Sequence, residues 1–257
     1  MTATDISARE LLTVKSAVAP MHGEPRISSP LSSQLVAGEV VTVLEHRGDW
    51  VRVRGNDAYE GWMHSGYLMP CTGDEHSWRL SLGCVVREAD GRERALPLAA
   101  RIAPMAEILS GDVVDARDLS SRFPFDATAI AQTASSRFSG ASYMWGGVTP
   151  WGCDCSGFTQ RVFQLHGLQL PRDAWQQALH GTAVSSRAPD AHAPADLLFF
   201  SDRDDQRVTH VGVSLGDGRM AHSGLARGGV VIEQLDADDP YVARLRAQCV
   251  TVRRVLV

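Results

Sequence analysis

Lysine is nearly missing from this chain of 257 residues. Lys15 is the only one, so 24 of the 25 Lys and Arg side chains are arginine. The bias fits nucleotide composition and assigns no function to the arginines as a class. Basic charge is not in excess either. The net charge is -5 and the isoelectric point about 6.0, whereas nucleic-acid binding rests on a basic surface that displaces counterions, so no nucleic acid is expected as a partner. Long apolar runs are lacking. Nothing approaches the ~18 to 20 apolar residues of a membrane-spanning helix, and no membrane partner is expected. Met1 to Glu10 holds Asp5, Arg9 and Glu10 but not the ~7 to 15 apolar residues of a secretory leader, so the expected compartment is the cytoplasm. Cysteine is sparse: Cys71, Cys84, Cys153, Cys155 and Cys249. An odd number at irregular spacing is not a disulfide framework, and in a reducing compartment these thiols are free for packing, metal or catalysis.

What is present suits a soluble globular protein. Hydrophobic residues make up 44% and charged residues 21%, enough for a core without metal or disulfide staples. Residues 14 to 70 read as short strands with turn punctuation. Trp50-Val51-Arg52-Val53-Arg54 alternates as a half-buried strand should, after Val40 to Leu44 and before Tyr59 to Met63. Several short strands in so little chain close a core as a small β-barrel. Residues 73 to 122 are less regular. Trp78 to Val86, Leu96 to Ile102 and Val113-Val114 read as strands, with a turn at Ala89 to Arg92. They form either a second, degenerate copy of the barrel or an extension of the next domain.

From Phe125 the pattern changes. Asp126 caps a helix over residues 127–138, a second helix runs over 156–166, and a third over 173–179. Strands follow at 197–200, 210–215, 219–222, 229–232 and 250–257, with Gly216-Asp217-Gly218 as a hairpin turn. Helices first and then an antiparallel sheet give an α+β domain. The expected division is 1–72, 73–122 and 123–257, the last folding by itself.

Cys155 lies where a glycine-rich loop meets the second helix. The N–H groups of a helix start favour an anion, so a lowered thiol pKa and a nucleophile are expected there. His210 and His222 lie on neighbouring strands and can share a face. His210 would take the Cys155 proton and His222 would hold the His210 ring, the relation of roles that defines a triad. Cys153 is read as a small buried side chain or, alternatively, as half of a redox or metal pair with Cys155. One intervening residue does not match zinc-site spacing, so neither metal nor cofactor is expected. His22, His46, His64, His76, His166, His180 and His192 are read as surface residues.

Tyr143-Met144-Trp145-Gly146-Gly147, Asp154-Cys155-Ser156-Gly157-Phe158, His210-Val211-Gly212-Val213 and His222-Ser223 resemble, in order, the motifs of the NlpC/P60 cysteine peptidases. That resemblance implies a papain-like core over residues 125 to 257 that hydrolyses bacterial cell-wall (murein) peptides, with Cys155 as nucleophile, His210 as base and His222 as orienting residue. Gln34-Leu35, Gly38-Glu39, Asp49 to Val53 and Tyr59 to Trp62 resemble a bacterial SH3 domain. Together the two are similar to the γ-D-glutamyl-L-diamino acid endopeptidases. This implies a substrate of the form L-Ala-γ-D-Glu-diamino acid with a free N-terminal amine, met in peptidoglycan recycling. By that resemblance Asp173 binds the ammonium, Tyr143, Asp154 and Ser156 line the pocket, and Glu24 and Tyr59 of the barrel form its wall. Ala174 stands where some relatives have serine. An amidase or acyltransferase of the same fold, or a non-catalytic wall-binding protein, are the alternatives.

Overall fold

The computed structural model describes residues 10–71 and 78–256. The 72/73 boundary, His76, and the reading of residues 1–9 lie outside the described residues. The first unit contains β1 (Leu11–Val14), β2 (Val18–His22), β3 (Leu31–Val36), β4 (Val40–Arg47), β5 (Trp50–Arg54), β6 (Glu60–His64) and β7 (Leu68–Pro70). They form one sheet in the order β3-β2-β6-β5-β4-β1-β7. The alternation read in Trp50 to Arg54 has its cause here. Val51 and Val53 point into a core with Val14, Met21 and Met63, while Arg52 faces out.

A second sheet is built on β8 (Arg79–Arg87), which pairs antiparallel with β9 (Glu93–Leu96), β10 (Arg101–Ile102) and β11 (Glu107–Asp115). Two expectations need correction. Leu96 to Ile102 is not one strand: it breaks after Leu96, where Pro97 cannot donate to a ladder. The strand expected at Val113-Val114 begins at Glu107, because long bulged pairing with β8 overrides the polar composition of Ser110-Gly111-Asp112.

The remainder carries α1 (Leu119–Arg122), α2 (Ala127–Ser136), α3 (Cys155–Leu165), α4 (Ala174–Gln177) and α5 (Pro240–Ala247). A short pair, β12 (Val148–Thr149) with β13 (Gly152–Cys153), precedes α3. The main sheet comprises β14 (Thr182–Ala183), β15 (Leu197–Phe200), β16 (His210–Gly216), β17 (Arg219–Gly224), β18 (Gly229–Gln234) and β19 (Cys249–Arg254). Its order is β14-β19-β15-β16-β17-β18, antiparallel throughout. Leu197-Leu198-Phe199-Phe200 is apolar without alternation because both faces are covered. Leu197 and Phe199 join the core with Phe158 and Val162 of α3, while Leu198 and Phe200 meet Leu245 of α5. Helix α5 went unread, although Asp239-Pro240 is a start signal: Asp239 caps it and Pro240 is its first residue.

The cores interlock. Leu80, Leu98, Ala99 and Val114 of the second unit belong to the same cluster as Phe158 and Phe199, and Val36 and Ala37 of the first unit belong to the cluster under β8. Three histidines expected at the surface are buried, each by local bonding or packing. His22 Nδ1 meets Ser29 O at 2.9 Å, His166 bridges Pro124 O (2.6 Å) and Thr133 Oγ1 (2.9 Å), and His192 is enclosed beside Asp196. His46 and His180 are exposed and His64 is half-buried.

Candidate active site

Cys155 is the first residue of α3, and Asp154 is its cap. One carboxylate oxygen of Asp154 accepts from Gly157 N–H at 2.7 Å, and the other from Gly146 N–H at 2.8 Å. Arg172 adds a two-pronged pair at 3.0 and 2.7 Å, and its Nη1 also reaches Ser156 Oγ at 3.0 Å. Its Nε donates to Ser33 Oγ of the first sheet at 2.9 Å. Arg172 is 2% exposed, so both charges of the pair are desolvated and each depends on the other. Asp154 and Ser156, expected to line a substrate pocket, thus have their polar atoms engaged inside the protein, where they fix the start of α3.

The Cys155 sulfur is buried, the residue being 7% exposed. The expected lowered pKa is not found. Burial first, and then the Asp154 carboxylate, push the thiol up to about 12. The Val211 N–H, Arg172 and the Ser156 N–H act in the opposite direction and are outweighed. A thiolate in a closed site loses more hydration than the partial charge of a helix start replaces. Cys153 is fully buried and its thiol is likewise pushed up to about 12, chiefly by burial.

The Val211 N–H that meets Cys155 belongs to the residue after His210, which opens β16. His210 Nε2 lies 2.8 Å from His222 Nδ1, with the rings edge to face. Burial, followed by the His222 ring, lowers His210 to about 3, so at neutral pH it is an uncharged base. The Nε2–Nδ1 contact occupies His210 Nε2, so Nδ1 is the ring nitrogen not engaged with His222. Gly224 makes room for this pair: a Cβ there would stand 2.8 Å from His222 Cε1 and 3.2 Å from its Nδ1. Tyr241 of α5 stacks on His222, with centroids 6.2 Å apart.

The first unit supplies a wall. The Tyr59 hydroxyl and the Trp175 indole both lie close to the Asp173 carboxylate. Burial raises the Asp173 carboxyl despite nearby Arg172. Tyr143 lies beside Cys155, and burial pushes its hydroxyl up to about 12, with Cys155 and Asp154 adding to the effect. Glu24 is not part of this group as it stands. It lies on an exposed turn, paired with Arg26 at 2.9 Å. The junction is closed by Gln160 Nε2 donating to Asp57 (2.8 Å) and by Arg161 donating to Glu39 (2.8 Å). Gly146 seals it further: at φ +76° its backbone approaches Leu31 so closely that a Cβ would stand 2.7 Å from Leu31 Cγ.

Comparisons with known proteins agree with this geometry. A model described as the NlpC/P60 family matches residues 140–247, which contain Cys155, Asp173, His210 and His222. One described as a bacterial SH3 domain matches residues 17–69, which contain Tyr59. A probable endopeptidase of Haemophilus influenzae is 34% identical over 133 residues, covering 51% of this chain and 77% of the relative. The chain belongs to the NlpC/P60 family. It is a peptidase of that family with a bacterial SH3 domain on its N-terminal side. The γ-D-glutamyl-L-lysine dipeptidyl-peptidase of Bacillus cereus is 27% identical over 242 residues, covering 81% of this chain and 72% of the relative. The Bacillus subtilis protein of the same name is 29% identical over 217 residues, covering 75% and 72%. The crystal structure of an NlpC/P60 family protein from Bacillus cereus superposes with a TM-score of 0.78 at 22% identity, over 96% of this chain and all of that one. The shared fold therefore includes the N-terminal units as well as the peptidase domain.

Sequence reasoning missed Arg172 and Glu233. Arg172 stood inside the Pro171-Arg172-Asp173 triplet, but a lone arginine signals burial only once its partners are known. Glu233 is the one acid in an otherwise apolar β18 stretch (Gly229-Val230-Val231-Ile232-Glu233), which was its available signal.

Proposed function

We propose that this NlpC/P60 peptidase is a cysteine endopeptidase that cleaves between γ-D-glutamate and the following diamino acid in cell-wall peptides with a free N-terminal L-alanine. The observation supporting this best is the Tyr59–Asp173 pair, which lies close to the Asp154–Arg172 pair at the start of α3. Arg172 is committed to Asp154, so among the described residues the half-buried Asp173 carboxylate has no full cation of its own. A substrate ammonium supplies that charge, and a closed pocket makes it worth more than in water. Two relatives are named for a γ-D-glutamyl-L-lysine substrate, which is the same class of bond.

In this reading, Cys155 Sγ attacks the γ-carbonyl carbon as His210 Nδ1 accepts the thiol proton. The oxyanion develops near the backbone N–H of Cys155 at the start of α3. His210 then gives its proton to the diamino acid nitrogen and the C–N bond breaks. Water, losing a proton to His210, hydrolyses the thioester, releasing L-Ala-γ-D-Glu and restoring the thiol. The compartment we assign is the cytoplasm, with peptides recycled from the wall as substrate; five free thiols are compatible with it.

Mass spectrometry of products decides the matter. L-Ala-γ-D-Glu should be released from L-Ala-γ-D-Glu-L-Lys and from the meso-diaminopimelate analogue, but not by Cys155→Ser. N-acetylated peptides should resist. Equal cleavage of acetylated peptides would remove the free-amine requirement, and cleavage at the L-Ala–D-Glu bond would overturn the assigned bond specificity.

A further inference from the structure

Behind the two histidines lies a charged group with no assigned part in the reaction. His222 is 0% exposed, and its Nδ1 is taken by His210. Among the described residues its Nε2 has no hydrogen-bond partner in range, and Glu233 Oε1 lies 3.7 Å away. The sheet register explains this approach. Met220 pairs with Glu233 and His222 with Val231, so Glu233 is the diagonal neighbour of His222 on the same face.

Two uncharged imidazoles that share one hydrogen bond have two arrangements. In the first, His210 Nε2–H donates to His222 Nδ1, His222 carries its proton on Nε2, and His210 Nδ1 is a free lone pair. In the second, His222 Nδ1–H donates to His210 Nε2, and the His210 proton sits on Nδ1. Only the first can take a proton from Cys155, and nothing within the pair selects it.

We propose that Glu233 is a positioning residue that selects the first arrangement by facing His222 Nε2, and thereby keeps His210 Nδ1 free as the base. The inference rests on the peptidase reading of Cys155 and His210. An anion at 3.7 Å favours an N–H directed at it and disfavours a lone pair. Glu233 is 8% exposed, and its carboxyl is held below the ordinary range by the His222 ring and by Arg227. Arg227 reaches Glu233 at 2.7 and 3.3 Å and Asp239 at 2.9 Å. Arg227 is shared between the two carboxylates, so it does not neutralise the negative charge of Glu233 by itself. The remaining groups here are Tyr241, stacked on His222, and Arg244, whose guanidinium lies 5.5 Å from the Tyr241 ring on the α5 side. When His210 becomes an imidazolium, the same negative charge stabilises it through the shared hydrogen bond.

The test uses full-length protein, ¹⁵N-labelled at histidine, with Glu233→Gln as the variant. In the wild type, His222 should show a protonated Nε2 and a bare Nδ1, and His210 a protonated Nε2 and a bare Nδ1. In Glu233→Gln the two arrangements should mix, and kcat should fall about 10- to 100-fold with KM little changed. Loss of the negative charge lowers the His210 pKa, so the acid limb of kcat/KM should move to lower pH. Wild-type protein with the His222 proton on Nδ1 overturns the proposal, and that measurement does not depend on the variant folding. A variant with lower Tm but unchanged tautomers and pH profile also overturns it, because Glu233 would then only pin Arg227. If wild-type protein with the expected tautomers cleaved no cell-wall peptide, the reading of the activity would fail while the tautomer assignment to Glu233 stood.

Discussion

Asp173 is the residue on which substrate choice turns. Replacing it with asparagine leaves the bound ammonium without a counter-charge, a loss of roughly 3 kcal/mol when one partner of an enclosed pair is removed. At ~1.4 kcal/mol per decade, Asp173→Asn should lower kcat/KM for L-Ala-γ-D-Glu-L-Lys on the order of 10²-fold. The slow turnover of an N-acetylated analogue should barely change. Equal losses on both peptides would mean that Asp173 supports the fold and does not bind the amine. Cys155 carries a second expectation at this scale. Its thiol is raised to about 12 and His210 is lowered to about 3, so between those limits the free protein holds thiol and imidazole, both uncharged. The iodoacetamide rate should therefore climb with pH through 6 to 9, close to tenfold per unit, as the thiolate fraction grows. A rate flat from pH 5 to 8 would show a preformed thiolate–imidazolium pair.

The start of α3 is where several elements depend on one ion pair. Arg172 joins the Asp154 cap, Ser156 and Ser33. Arg172→Met keeps most of the volume but leaves Asp154 buried and unpaired, which typically costs ~3 to 5 kcal/mol. Urea denaturation should show the midpoint falling with the slope unchanged. A midpoint within error of wild type would mean that water replaces the guanidinium. The element-level reading from sequence was good for α2 and α3, where a capping acid stood just before an apolar periodic run: Asp126 accepts from Ala129 N–H at 2.9 Å, as Asp154 does from Gly157. It was poor for β11 and α5. Neither has a strong pattern of its own, and each is held by what it packs on.

At the scale of the whole molecule, residues 123–257, expected from the sequence to fold by themselves, share their core with the units before them. Removing 1–122 strips Leu80, Leu98, Ala99 and Val114 from the peptidase core. It also takes Glu39 from Arg161, which is 4% exposed, Asp57 from Gln160 and Ser33 from Arg172. Lost buried leucine contacts alone amount to ~2 to 5 kcal/mol each, comparable with a domain's total stability of ~5 to 15. The excised fragment should melt far below the full chain and without its cooperativity, by calorimetry. A sharp transition at the full-chain Tm would show that the junction contributes little.

Local chemistry was legible because it repeats within short spans of chain. The cysteine at a helix start, two histidines either side of a hairpin turn, alternation in β5 and capping acids need only neighbouring residues to be recognised, and these marked the triad candidates and the α+β order. Other features depend on residues far apart in sequence. Whether Cys155 is charged depended on how much water the folded chain excludes, which reversed the sign expected from the helix start. Which carboxylates face the site depended on register and docking. Glu24 turned to Arg26 at the surface, Asp154 turned inward to Arg172, and Glu233 came behind His222 through the pairing of β17 with β18. Burial and long-range pairing are properties of the closed fold, so tertiary structure alone decided them.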